Sequence, residues 1–408
     1  MLPEQEKSVS SIVNEFYESD IEYDMKFNRV LLKLIGVWPS AHRQTRLERT
    51  IARLAKIASI LFLAFLFVPH GYHIFLVEKS AAARLKMIGA WSFCAMAILK
   101  YAIVIARTEG IKYCIDRIAM DWRDVDGQKH RTIMLRNAEA CRSFTKLCVV
   151  IMYGGSIAYS TVLPFASSPK SHFNSVIDNS TAARPLAFPS QFFVFNPHVR
   201  PMYEIVFFGH TVSIAIICTV ASGVCTLAVK FVMHVNSQYQ IVISLLECTV
   251  IDECHDEVSA KKQLGDIVVL FRLPRRVESV MNEVWLVEFV GGTLNICFIG
   301  YYLIKEWENS ETLGIIAYIV LMMSFVSNIF IFCYIGELLA EQVGLAVYMI
   351  DWWHLPPRQA RDIVMLIVAS NFPVKLTAGK MAKLSLESFC SVIKAAVTYL
   401  NVLRNAMS

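Results

Sequence analysis

Apolar residues in this chain gather into runs long enough to cross a lipid bilayer. A membrane helix needs about 20 mostly apolar residues. Three runs reach that length with no Asp, Glu, Lys or Arg: Ile57–Val77, Leu147–Pro169, whose helix is expected to stop near Phe165, and Thr312–Gly336. Ile205–Val229 is as long and holds only His210. Three further runs carry charges. Ala83–Ala106 contains Lys86 and Lys100, Met281–Ile304 opens with Glu283 and Glu288, and Leu384–Leu403 contains Glu387 and Lys394. A charge at mid-membrane costs about 2.5–3.5 kcal/mol on insertion scales, so each must reach an interface or face protein or water. In the last run Glu387, Ser391, Lys394, Thr398 and Asn401 step by three or four and share one helical face. That face suits either a water-filled path or a polar stripe turned into a helix bundle. Phe27–Trp38 is amphipathic and too short to span, which predicts an interfacial helix. The pattern predicts an all-α membrane protein with seven transmembrane helices.

Composition agrees. Of 408 residues 55% are apolar and 18% charged, with mean hydropathy +0.48. Ordinary soluble chains hold about 45–50% apolar and about 25% charged residues. The net charge of +5 is spread over short loops, so no nucleic-acid partner is expected. The polar, acidic N-terminus lacks the basic and apolar regions of a cleaved signal, leaving the first span as the expected insertion signal. The eleven cysteines fall in apolar runs or in segments expected in the cytoplasm, so no disulfide framework is expected. Cys248, Cys254 and His255 lack the spacing of a standard zinc site. No Gly-x-Ser-x-Gly, His-Glu-x-x-His or P-loop occurs, so neither an enzyme nor a cofactor is expected.

Lys and Arg set the orientation. Residues 1–50, 107–144, 230–280 and 337–383 together hold 26 of them, and the alternate segments hold 7. Positive residues mark the cytoplasmic side, so the N-terminus is expected inside and the C-terminus outside. The sequon at Asn179 lies in a loop this rule puts outside, where a glycan is possible. The orientation is opposite to that of G-protein-coupled receptors, and no Asn-Pro-x-x-Tyr occurs in the last span.

An ordered series of short motifs occupies residues 290–405. Cys297-Phe-Ile-Gly-Tyr-Tyr comes first, then Tyr334-Ile-Gly-Glu-Leu-Leu, Glu341-Gln342, Asp351-Trp352-Trp353 and Leu355-Pro356. Leu376-Thr-Ala-Gly-Lys, Leu384-Ser-Leu-Glu-Ser-Phe389 and Thr398-Tyr399 close the series. In this order they resemble the C-terminal region of the insect odorant receptor family. The loop between spans four and five is only about fifty residues, shorter than in the family's co-receptor, so the chain looks like a ligand-tuned subunit. Thr398-Tyr399 is followed by Asn405-Ala406 where related gustatory receptors carry Gln-Phe.

The resemblance implies one subunit of a tetrameric, nonselective cation channel in the plasma membrane of sensory neurons, built with the odorant receptor co-receptor as a heterotetramer. A gustatory-type chemoreceptor channel and a multi-helix transporter are the alternatives, although no half-to-half repeat of the transporter kind occurs. The resemblance divides the chain into a cytoplasmic N-terminus (1–50), helices one to six with an outer pocket (51–336), a cytoplasmic anchor (337–383) and a pore-lining helix (384–408). Trp352 and Trp353 would be anchor contacts. Val402, Asn405 and Ala406 would stand near the gate. Small volatile odorants would bind within the subunit's outer half, where the candidate lining is Met87, Trp91, Tyr153, Ser156, Tyr159, Phe207, His210, Tyr318 and Met322. Such an apolar, aromatic wall with a few hydroxyls suits a small volatile. Each of these residues has helix packing or lipid contact as its plainer explanation.

Overall fold

A computed structural model describes residues 14–39, 45–157, 160, 186, 188–192, 201–251, 257–308, 312–348 and 376–407. Among them the regular structure is helical apart from one small hairpin. In chain order it comprises α1 (Tyr17–Leu34), α2 (Arg46–Tyr72, continued by a π turn at His73–Val77), α3 (Ala81–Ala106), α4 (Thr108–Asp124) and α5 (Gln128–Ile157). Then come α6 (Met202–Ile251), α7 (Glu257–Glu308), α8 (Thr312–Tyr348), β1 (Thr377–Ala378), β2 (Ala382–Lys383) and α9 (Leu386–Met407). Six described helices are long and apolar enough to cross a membrane: Arg46–Val77, Ala81–Ala106, Met202–Ser244, Leu273–Glu308, Thr312–Ala340 and Leu386–Asn405. Of the expected span Leu147–Pro169, α5 supplies the part up to Ile157, and all but Ser160 of the rest lies outside the described residues.

The helix at the bundle's centre is α6, which is apolar on nearly every side, as a fully surrounded helix must be. Its residues 217–237 form an unbroken buried run, and α2, α3, α5, α7 and α8 pack around it. Two ion pairs join α3 to α7, Lys86–Glu306 and Lys100–Glu288, and Arg107, the residue after α3, pairs with Glu283. The partner numbers fall along α7 as they rise along α3, so the two helices run antiparallel. The charges that made these two spans less clean in sequence thus satisfy one another inside the protein. Asn328 of α8 also donates to Glu288.

The first helix begins at Tyr17, ahead of the expected Phe27, and it docks into the bundle. Its polar residues do the docking. Asp24 accepts from Lys230 and, at 2.8 Å, from the Trp122 indole. Arg131 grips Asp20 with two bonds of 2.7 and 2.8 Å. Burial pushes the Asp20 carboxyl up, but hydrogen bonds from Arg131 and Asn14 outweigh it and hold the group below its ordinary range. Next to this cluster His234 meets Asp121 at 2.9 Å, and Arg117 pairs with the same carboxylate.

The chain reaches α9 through the hairpin. Gly379 and Lys380 both have φ near +60°, the signature of a tight primed turn. Gly379 donates its backbone N–H to Asn282 O at 2.9 Å, and Thr377 donates to Glu278 at 2.7 Å, so the hairpin is clamped to α7. Leu384 passes over Gly336 of α8, where a Cβ would overlap its carbonyl oxygen. Glu337 of α8 then accepts from the Leu386 N–H at 3.1 Å, and Ser385 caps the new helix through the Ser388 N–H.

Candidate functional site

Five helices, α3, α5, α6, α7 and α8, line a cavity of about 70 Å³. Close approach makes its walls. At Gly155 of α5 a Cβ would stand 2.5 Å from Ser324 Oγ of α8, and at Gly89 of α3 one would stand 3.4 Å from Phe298 Cβ of α7. The surface is mainly aromatic: Phe93, Phe298, Tyr302, Tyr318 and Phe325 come from helices, and Phe188 comes from the segment 188–192. That segment is tied down at its neighbours. His70 Nδ1 lies 2.6 Å from Pro189 O, and Gln191 donates its N–H to Pro69 O at 3.3 Å. The rings of His70 and His210 meet Phe188 edge-on at 5.5 and 5.9 Å.

The polar groups on the wall are few and mostly committed. Ser324 donates to backbone carbonyls of Ile151 and Val320, both at 3.0 Å. Asn295 accepts from Ser92 at 3.0 Å and donates to Gly291 O at 2.8 Å. Lys86 lies 3.8 Å from Glu306. Ser156 differs. Among the described residues its Oγ bonds only the Cys218 thiol, at 2.9 Å, and that thiol also lies 3.9 Å from Met152 O.

Of the residues predicted for the lining, Ser156 and Tyr318 are brought together on this wall. The others stand elsewhere. Trp91 stacks on Phe67 at 4.7 Å and donates to its carbonyl at 3.3 Å. Tyr153 bonds Thr219 at 2.7 Å, joining α5 to α6. His210 lies 3.4 Å from Ser190, beneath the segment that carries Phe188. Met87 is buried outside the lining, and Phe207 is exposed beside Tyr203. The Met322 methyl points to Gly300. Tyr159, Asn179, Trp352 and Trp353 lie outside the described residues. Val402 and Asn405 are exposed on the last turns of α9, and Ala406 belongs to the same helix.

The sequence did not single out the α7 wall. Asn295, Phe298, Ile299 and Tyr302 recur at i, i+3, i+4 and i+7, a helical face that was open to detection. Phe188 left no such signal, because it sits in an irregular segment whose position depends on contacts with His70 and His210.

Membrane-length helices around a mainly aromatic cavity define a multi-pass membrane protein. A family model described as 7tm Odorant receptor matches residues 83–397, and the chain belongs to that family. It is 25% identical over 145 residues to Odorant receptor 13a of Drosophila melanogaster, and 25% identical over 131 residues to Odorant receptor 10 of Aedes albopictus. The matched stretches cover 32% and 31% of this chain. They span about a third of the length of these curated relatives, 34% in each. The insect olfactory receptor OR5 of Machilis hrabei, in complex with eugenol, superposes with a TM-score of 0.79 at 16% identity, over 96% of this chain and 100% of that one. A second structure of that receptor gives a TM-score of 0.77 over 95% of this chain and 99% of that one, also at 16% identity. The likeness to OR5 is one of fold. The family is one of receptors and not of enzymes.

Proposed function

We propose that this chain is the ligand-tuned subunit of an odour-gated, nonselective cation channel. The aromatic cavity, with the Ser156 hydroxyl on its wall held only by a thiol, carries the proposal. The ligand that suits it is neutral, compact and rich in apolar surface, with one hydrogen-bond acceptor for Ser156. A charged ligand would lose its hydration against a wall that returns little for it. The cavity is about half the ~150 Å³ of an engineered apolar cavity that holds benzene. A ring-bearing ligand seated wholly within it spreads the wall helices. It binds the expanded arrangement better than the closed one, and that difference in affinity shifts the population toward opening.

The terminal helix supports the pore half of the proposal. Phe389, Val392, Ile393, Leu400 and Leu403 pack on the bundle, while Glu387, Ser391, Lys394, Thr398 and Asn401 are all exposed. Val397, Tyr399 and Val402 are exposed too. A helix uncovered on so wide a face, polar along one side, suits a water-filled path shared with neighbouring subunits. In this arrangement seven spans put the N-terminus inside, Val402, Asn405 and Ala406 stand at the outer gate, and Asn179 is external. Trp352 and Trp353 belong to the cytoplasmic anchor of a heterotetramer with the co-receptor. The plasma membrane is the site of action.

The test is current recorded from cells co-expressing this chain with the co-receptor, under a panel of small aromatic ketones, ethers, alcohols and hydrocarbons. Acceptor-bearing compounds are expected to be the better agonists. Ser156→Ala is expected to raise their half-maximal concentration about fivefold, the loss of one hydrogen bond, and to leave hydrocarbons unaffected. A surface-delivered chain that stays silent across the panel would overturn the proposal.

A further inference from the structure

We infer that Gly300 of α7 and Leu400 of α9 form the seat through which a change in the cavity reaches the terminal helix. The inference rests on the channel proposed above. Helix α7 serves two surfaces at once. Asn295, Phe298, Ile299 and Tyr302 line the cavity on one face. Gly300 lies roughly 150° round the same helix at about 100° per residue, and it is buried. A Cβ at that position would stand 3.1 Å from Leu400 Cδ2 and 3.8 Å from Leu400 Cδ1. The absent side chain is a notch, and the Leu400 side chain fills it. The Met322 methyl of α8 would be 3.8 Å from the same point. Met322 follows Leu321, itself a cavity residue. The α7 wall meets the terminal helix at this notch, and Met322 of α8 reaches the same notch.

The two ends of α9 are held differently. The end nearest the hairpin is clamped by backbone bonds from Gly379 to Asn282 and from Leu384 to Leu376, and by Leu384 lying against Gly336. Leu400 sits about 20 Å further along at 1.5 Å per residue. There the holds are side chains, Leu400 in a shallow notch and Leu403 against the bundle. Just beyond Leu400, Val402 is exposed. Backbone clamps resist small displacements, whereas a side chain leaves a notch when the opposing helix rotates or retreats. A ligand that moves α7 therefore frees the distal end of α9 and leaves its clamped end in place. Gly300 and Leu400 are positioning residues: neither needs to touch the ligand or the permeating ion.

Gly300→Ala puts a methyl into the notch and forces Leu400 out by a few tenths of an ångström. Two readouts follow in cells co-expressing the co-receptor, each normalised to surface protein. Ligand-free current is expected to rise about threefold, within the usual range for coupled neighbours. In a Val402→Cys background, the rate of modification by a membrane-impermeant thiol reagent is expected to rise by a similar factor. Leu400→Val, which shortens the opposing side chain, is expected to return both readouts to near the parent values when combined with Gly300→Ala. Should Gly300→Ala fail to reach the surface, Leu400→Phe supplies the wedge from the other side, with the same rise expected in both readouts and no rise for Leu400→Val. Unchanged thiol reactivity in a surface-delivered wedge variant, or no reversal by Leu400→Val, would overturn the inference. Raised reactivity with no current from any variant or from the parent would leave the seat standing and count against the channel itself.

Discussion

Replacing Lys100 tests the charged core of the bundle. Its ammonium donates to Glu288 Oε2 at 2.7 Å, and both side chains are 2% exposed. At an effective dielectric of about 20 their attraction is about 6 kcal/mol. Taking two ions out of water costs several kcal/mol each. The two effects nearly cancel, so the intact pair adds little net stability. One ion alone is another matter: breaking a buried pair costs about 3–5 kcal/mol. Lys100→Met is therefore expected to lower the thermal midpoint of the detergent-solubilised protein sharply, read by size-exclusion of heated samples. Adding Glu288→Gln removes the orphaned charge and keeps a carbonyl for Asn328. The double variant is expected to recover most of the loss, with a coupling of about 2 kcal/mol or more. Equal losses in the single and double variants would refute this account, because the damage would then come from lost packing and not from an unpaired ion.

Arg131→Ala is expected to cost about 2 kcal/mol, the worth of charge-assisted bonds to Asp20. Because the folded state holds the Asp20 carboxyl below its ordinary value near 3.8, this contribution is complete above that value and fades as pH falls through the lower folded one. Thermal midpoints of variant and parent should therefore converge in strong acid and differ at neutral pH. Gly336→Ala is expected to displace the start of α9 and abolish surface delivery, whereas Gly154→Ala, with nothing within 4 Å of its new methyl, should be delivered normally. Maleimide labelling of the folded protein followed by peptide mapping should find exposed Cys390 modified and buried Cys114 spared, since burial pushes the Cys114 thiol up to about 12.

Most of the membrane helices were legible because length and apolarity are properties of the sequence alone. Thr312–Gly336 fell within α8, and Ile205–Val229 within α6. The charged runs were legible as helices, but their partners were not. Lys100 and Glu288 lie 188 residues apart, and nothing local tells one charge that another will face it. The site divides in the same way. Ser156 and Tyr318, named for their place along the helices, both line the cavity. Met87, Trp91 and Tyr153 share the same residue chemistry, yet the rotation of each helix, fixed by contacts such as Trp91 on Phe67 and Tyr153 on Thr219, turns them away from the cavity. Gly300 carries no signal in one sequence, because its meaning lies in what occupies the space its side chain would take.

The ion pairs between α3 and α7 also bear on how the chain is made. A ribosome adding about 5–20 residues per second leaves roughly 10 to 40 s between the emergence of Lys100 and that of Glu288. Throughout that interval α3 carries an ammonium with no counter-ion into hydrocarbon. Its residence in the lipid stays provisional until α7 arrives to neutralise it. Nascent chains arrested before residue 281 should therefore leave α3 open to crosslinking by chaperones of the insertion machinery. Chains arrested after residue 308 should not.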